Sequence, residues 1–256
     1  MRRLIAFPCE GETLVGSLDP ADGTTGLLIV SGGNEPRMGA HRGMALLATR
    51  LAAAGWPVFR FDRRGVGDSA GANGGWATRA PDIAAAAAAF RTEAPRMRRL
   101  MGFGNCDAAT ALALFGQAAG VDAMVLANPW VVEREPDGLP PPAAIRARYA
   151  ERLRRPGEWR RLARGGVDLA KLARGLRAVL KIPSDPSLAR RFADALRECD
   201  ATIVLASGDA TAIAYADAVK DLGITAKVVT IDTASHSFAR AGDAEALEAA
   251  IRATLG

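Results

Sequence analysis

The sequence predicts one α/β domain: a mainly parallel sheet with helices on both faces and an inserted helical cap. Three observations point to it. Short apolar runs alternate with helix-like segments along most of the 256 residues. Glycines sit where several of those runs end. One long stretch, residues 131–198, breaks the rhythm without offering a strand-like run. Regular alternation of this kind builds a parallel sheet, because each crossover helix carries the chain back to the same end of the sheet.

The elements follow in order. "MRRLIAFPCEGETLVGSLDP" holds only a short, broken apolar stretch and reads as a strand pair around "EGETL", not as a signal peptide. "GLLIVSGG" is an apolar strand ending in glycines, and "HRGMALLATRLAAAG" follows with helical composition and a terminal glycine. Strand "PVFRFD" leads into the loop "RRGVGDSAG" and then the helix "APDIAAAAAAFRTEAP". Its alanine run is a strong helix former, and Asp82 near its start suits the helix dipole. Strand "RRLMGFG", helix "CDAATALALFGQAAG" and strand "DAMVLANPW" come next. After the gap, "ATIVLASGD", "AIAYADAVKDLG", "AKVVTID" and "AEALEAAIRATL" resume the pattern. Residues 1–130 and 199–256 therefore form the core and 131–198 the cap. An ordinary long crossover is the alternative for the latter.

Charge is unevenly spread. The net charge is +5, yet residues 131–197 hold sixteen Lys and Arg against eight Asp and Glu, leaving the rest slightly acidic. This Arg-rich stretch is either a solvated face or a funnel for acidic ligands. Zinc spacings, RNA-binding aromatics and a basic coiled coil are all missing from the sequence, so nucleic acid is not an expected partner. Cys9, Cys106 and Cys199 lie far apart with no CxxC, which suits a reducing cytoplasm better than a disulfide framework. No run is long enough to span a bilayer. An apolar helix face can meet either the core or a second subunit, which leaves monomer and homodimer both open.

Two glycine signals compete. "GVGDSA" fits the spacing of a dinucleotide-binding turn, but an alanine helix follows where a strand ending in a ribose-binding acid is needed. No cofactor is expected from it, and no metal. "GFGNCDAA" reads instead as strand, sharp turn and helix. A nucleophile in such a turn needs small neighbours, and Gly104 and Ala108 stand two residues either side of Cys106. The N–H groups and positive dipole end of the following helix favour a thiolate and an oxyanion. Asp107 complicates this: either its charge acts on the thiol or it decorates the helix start. An inert, core-filling cysteine is the plain alternative.

His236 shifts the balance toward catalysis. It follows the last expected strand and precedes the final helix, and His41 is the only other histidine. The order Cys106, acid, His236 matches a nucleophile–acid–base triad, with Asp209 just past the preceding strand as the acid. Asp209 directly follows Gly208, so Asp232 beside His236 is the fallback. Asp217 is remote on a helix. The N–H of Asp107 and that of Gly33 or Asn34 would form the oxyanion hole.

These residues also carry a resemblance. "FDRRGVGDSAG" resembles the FD-x-RG-x-GDS-x-G loop of α/β hydrolases. With "GNCDAAT", "LANPWV", "GGNEPRMGAHR" and "SGDATA", the chain resembles the hydrolases encoded with the bacterial exosortase A system, type 1. The resemblance implies an α/β-hydrolase fold, a cytoplasmic protein linked to exopolysaccharide production and protein sorting, and a triad of Cys106, His236 and Asp209. Its "SGDATA" departs from the family by one missing residue. Arg37, His41 and Trp130, within or beside the shared motifs, are the candidates for substrate contact. In the cap, Tyr149, Trp159 and the arginines could shape an acyl pocket that draws a coenzyme A phosphate.

The expected chemistry is cofactor-independent hydrolysis of a small ester or thioester through an acyl-enzyme. Acyl transfer on the same triad and a non-catalytic binding or accessory role in exopolysaccharide production are the rivals.

Overall fold

A computed structural model describes residues 1–132 and 187–256. Most of the expected cap falls on residues 133–186 and lies outside the described residues, as do Tyr149 and Trp159.

The chain opens on β1 (Arg3–Cys9) and β2 (Glu12–Asp19), an antiparallel hairpin in which Cys9 pairs with Glu12. The turn is the two residues Glu10 and Gly11, at φ 48° and 83°. Positive φ at both central residues gives the turn the twist that right-handed strands require. Next come β3 (Thr25–Val30), α1 (Gly43–Ala53), β4 (Val58–Phe61), α2 (Ala80–Glu93), β5 (Arg99–Asn105), α3 (Asp107–Phe115) and β6 (Ala123–Ala127). From residue 187 the described chain continues with α4 (Ser187–Ala195), β7 (Asp200–Ala206), α5 (Ala210–Val219), β8 (Lys227–Ile231) and α6 (Asp243–Leu255). The eight strands form one sheet in the order β1-β2-β4-β3-β5-β6-β7-β8. Only β1–β2 and β2–β4 pair antiparallel.

Alternating side chains split the core in two. Leu27, Ile29, Met101, Phe103 and Val125 face α1 and α6, meeting Leu47, Leu51, Leu247 and Ile251. Leu28, Val30, Leu100, Met124 and Leu126 face the other way, onto Ile83, Phe90, Leu112 and Phe192. A strand buried on both sides reads as an unbroken apolar run, which is why "LLIV" and "AMVLA" stand out in the sequence. α4 and α5 share the second face, where fully buried Phe192 sits edge-on to Tyr215 at 5.7 Å.

The "FDRRGVGDSAG" loop closes around a carboxylate. Asp62, fully buried, accepts the N–H of Asp68 at 3.0 Å and that of Arg37 at 2.5 Å, and pairs with the Arg37 guanidinium. Gly67 lies against it at φ 58°, and a Cβ there would meet the Asp62 carboxylate at 2.2 Å. Ser69 Oγ donates to the Asp62 carbonyl at 2.7 Å and accepts from Val15 N–H at 2.9 Å, tying the loop to β2. The glycines serve this packing.

Candidate active site

Cys106 occupies a strained turn between β5 and α3, at φ 63° and ψ −129°. Such a backbone costs a non-glycine residue about 1–3 kcal/mol and persists only where its surroundings fix it. Here the Cys106 N–H donates to the Ala127 carbonyl at 3.0 Å. Its own carbonyl accepts from Ala109 at 3.1 Å and Trp130 at 3.3 Å. Gly104 is required by contact: a Cβ there would lie 2.8 Å from the Ala108 carbonyl. The small residues around Cys106 let strand and helix approach closely enough to thrust the thiol off the sheet.

The structure brings the distant histidine and Asp209 to this turn. His236 Nδ1 is 2.9 Å from Asp209 Oδ1, and the ring lies near enough to the Cys106 side chain to interact with it electrostatically. Asp209 caps α5, its Oδ2 accepting from Thr211 N–H at 2.7 Å and Ala212 N–H at 3.0 Å. Asp209 therefore reaches His236 directly, despite the short loop. Asp232 takes the Ser207 hydroxyl at 3.0 Å instead.

Electrostatics follow the geometry. The hydrogen bond to Asp209, then the nearby Cys106 side chain, outweighs burial and raises the His236 imidazole to about 10. Burial would push the Asp209 carboxyl up, but His236 and the two helix N–H groups hold it below its ordinary value.

Two asparagines brace the histidine from behind. The Asn105 amide donates to the His236 carbonyl at 2.9 Å. Fully buried Asn128 donates to the same carbonyl and to Asn105 Oδ1, each at 3.2 Å. Asn128 Oδ1 accepts from Ala206 N–H at 2.8 Å. One side chain thus links the ends of β5 and β7 to the histidine loop. The sequence did offer a signal, a polar residue closing the apolar strand "AMVLA".

One donor expected for the oxyanion hole, the Gly33 N–H, is taken from within. Gly33 N–H donates to Asp107 Oδ1 at 2.7 Å, and Asp107 Oδ2 accepts from Arg79 Nη2 at 2.6 Å. Arg79 and Arg63 are 1% and 2% exposed. Arg63 donates to the Gly33 carbonyl, and burial, then the neighbouring Arg79, lowers its guanidinium to about 10. Asp107 thus bridges the elbow and the loop after β3, which neither sequence expectation for it described. Arg79 carries no local sequence signal, because its partner is 28 positions away.

Other candidates are placed less centrally. Arg37 is engaged by Asp62, by Asp68 at 2.8 Å and by Ser17 Oγ at 2.9 Å, joining two loops. Asn34 Oδ1 accepts from the Asn73 amide at 2.8 Å. His41 is exposed in the turn before α1, at φ 52°. Trp130 clamps the elbow through its backbone, accepting from Thr110 Oγ1 at 2.6 Å, and its ring meets Trp76 edge-on at 6.2 Å. A separate cavity of about 500 Å³ lies at the opposite ends of the strands, lined by Arg99, Arg197, Asp200 and Lys227.

The sequence profile of the family described as serine aminopeptidase, S33 matches residues 27–206, which include Cys106 and stop short of Asp209 and His236. No curated protein matches the sequence. Among solved structures the chain is similar to the Pyrococcus furiosus esterase Pf2001, with 12% identity, TM-score 0.63, and 100% of this chain and 92% of the other covered. It is similar to XC6422 from Xanthomonas campestris, an α/β serine hydrolase without a lid, with 14% identity, TM-score 0.60 and coverage of 99% and 94%. The thioesterase domain from the curacin biosynthetic pathway aligns with 13% identity, TM-score 0.57 and coverage of 100% and 99%. Together with the sheet order these likenesses establish the α/β-hydrolase fold.

Proposed function

The chain belongs to the serine aminopeptidase S33 family of α/β hydrolases, and on that premise we propose that it hydrolyses carboxylic esters or thioesters with Cys106 as nucleophile, His236 as base and Asp209 as orienting acid. The family takes its name from serine; this chain carries cysteine at the elbow. The observation that carries the reading is His236 Nδ1 held on Asp209 Oδ1 at 2.9 Å beside the strained cysteine elbow, where the Cys106 side chain acts on the ring.

The chemistry balances on these residues. The proton of the Cys106 thiol resides on His236 before substrate arrives, and the thiolate attacks the acyl carbon. As the Sγ–C bond forms, the bond to the leaving alcohol or thiol breaks, and His236 returns the proton to the departing group. Water, deprotonated by His236, then cleaves the Sγ–acyl bond. Asp209 stabilises the imidazolium and fixes which ring nitrogen faces the sulfur. Backbone N–H groups of Asp107 and of Gly33 or Asn34 are assigned to the developing oxyanion. Trp76 and Trp130 offer apolar surface near the elbow for an acyl chain.

The esterase and thioesterase among the similar structures agree with this substrate class. A place among hydrolases associated with exosortase A systems is supported by the sequence motifs alone. Cytoplasmic residence is supported by three free cysteines. Among the described residues no helix is long and apolar enough to cross a membrane.

The test is intact mass spectrometry after exposure to short and long activated acyl esters, with Cys106→Ala and His236→Ala alongside. Wild type should gain one acyl group and turn over; Cys106→Ala should gain none. Absence of both adduct and turnover across chain lengths would sink the reading. A second reading, a binding protein on a hydrolase scaffold, is favoured by the Asp107 carboxylate on Gly33 N–H, and that outcome would support it.

A further inference from the structure

Asp107 directly follows the proposed nucleophile, and its carboxylate rests on Gly33 N–H, one of the donors assigned to a substrate oxygen. Gly33 N–H points to Asp107 Oδ1 at 2.7 Å. A reacting carbonyl gathers negative charge on its oxygen and seeks the same N–H. Two anionic oxygens cannot share one donor, so the carboxylate and the transition state compete.

The surroundings give the carboxylate a second place to go. Arg79 already holds its Oδ2 at 2.6 Å, while Arg79 Nε and Nη1 are buried with no hydrogen-bond partner among the described residues. A guanidinium binds a carboxylate best through two parallel hydrogen bonds, and here only one is made. The spare donors are sealed from solvent, so a neighbouring protein group is what can reach them. The resting position is also shaped by packing: a Cβ on Gly32 would lie 3.1 Å from Asp107 Oδ1 and 2.6 Å from the Asn105 carbonyl. Glycine there leaves room for the carboxylate.

We infer that Asp107 is a latch on the oxyanion hole, closed while Oδ1 sits on Gly33 N–H and open when the carboxylate turns wholly onto Arg79. The inference rests on the acyl-enzyme reading above and adds a regulation of the same site. A substrate opens the latch by holding its carbonyl oxygen against Gly33 through contacts elsewhere. Small esters, which bring few such contacts, leave it closed. The latch thus selects against small or loosely bound acyl groups.

Two reactions at the same sulfur test this. With p-nitrophenyl acetate, the Sγ–acyl bond forms as p-nitrophenolate leaves, and charge passes through the carbonyl oxygen. With iodoacetamide, the Sγ–CH2 bond forms as iodide leaves, and no oxyanion arises at the reacting carbon. Both rates are measured on the full chain for wild type, Asp107→Ala and Asp107→Ala/Arg79→Met. The double variant removes both charges, so the test survives if Asp107→Ala alone misfolds around an unpaired Arg79.

The ratio of acylation to alkylation should rise on the order of tenfold or more in the folded variants, within what one oxyanion-hole donor contributes. Acylation seen only in the variants also supports the latch. Wild-type acylation with an unchanged or lower ratio in the variants overturns the latch and leaves the hydrolase reading standing. Rates that rise in parallel show Asp107 acting on the thiolate, and overturn it too. Alkylation of Cys106 with no acylation in any of the three proteins overturns both readings together.

Discussion

Asp209 divides its carboxylate between two tasks, with Oδ1 on His236 Nδ1 at 2.9 Å and Oδ2 on the first turn of α5. Asp209→Asn separates them. The asparagine oxygen can still cap α5, while its amide now faces Nδ1 and forces the ring to carry its proton on Nε2, toward the sulfur. That tautomer cannot accept the thiol proton. kcat/KM for ester hydrolysis should fall about 10²–10⁴-fold, by analogy with a misoriented triad histidine. The melting temperature should fall only by what the lost pair with His236 supplies, because the cap is kept. Asp209→Ala should lose activity and also about 1 kcal/mol of helix cap. Steady-state kinetics beside urea denaturation distinguishes the two variants. Equal stability losses would show that the cap contact is not shared as described.

The raised imidazole sets a pH window. His236 titrates near 10 in the folded protein, against an ordinary value of 6.5, chiefly because of Asp209. The folded state binds this proton more tightly than the unfolded chain. The stabilisation it supplies is therefore complete below pH 6.5 and is lost as pH rises through about 10. Catalysis follows the same group, because neutral imidazole has no proton for the leaving group. kcat/KM should decline above about pH 10, whereas alkylation by iodoacetamide should show no such fall. In Asp209→Asn the alkaline limb should move to lower pH. A limb that stays put in that variant would mean another group controls it.

How far the sequence reveals this site depends on whether a residue's role is local. The apolar runs that became β3, β5 and β6 were legible because burial on both faces leaves no polar interruption. The elbow at Cys106 was legible because a strained turn demands small residues at fixed offsets, and the loop of His236 because it follows the last strand of the pattern. The acid was harder: position past the preceding strand favoured Asp209 with Asp232 as fallback, and in the structure Asp209 lies 2.9 Å from His236 while Asp232 takes the Ser207 hydroxyl. The bonds joining Asp107 and Gly33 to each other and to Arg79 and Arg63 stayed hidden, since they span loops from β3, β4 and β5 that the sequence does not show to be adjacent. The pairing of Arg37 was hidden for the same reason: it was a candidate for substrate contact, and its partners Asp62 and Asp68 lie in another loop.

Asn128 should prove to be a positioning residue. Asn128→Asp keeps an acceptor for Ala206 N–H but cannot donate to the His236 carbonyl, whereas Asn128→Leu loses both bonds. The leucine variant should lose about 1–3 kcal/mol for each buried group left unpaired. The aspartate variant isolates the histidine brace. Its kcat should drop with KM little changed, because the acyl pocket is untouched while the ring is misplaced. Cys106 alkylation gives the control, and a purely structural role would lower folded protein and leave kcat per folded molecule intact.

Gly104 and Gly102 lie two residues apart on β5, and the structure predicts opposite tolerances. A Cβ on Gly104 would come within 2.8 Å of the Ala108 backbone and 2.9 Å of Ala109 N. Neither can yield unless the start of α3 moves, and that movement carries Cys106 with it. On Gly102 the nearest atoms are side-chain methyls of Leu112 and Val121, both at 3.1 Å, which can shift by a few tenths of an ångström. Gly104→Ala should therefore cost roughly 1–3 kcal/mol of overpacking strain. It should also cut kcat/KM by about 100-fold or more, the usual penalty of misplacing a reacting group by an ångström. Gly102→Ala should remain active, with only a mild loss of stability. If both variants behaved alike, the close approach of strand and helix would not be what holds the sulfur in place, and the strain at Cys106 would need another source.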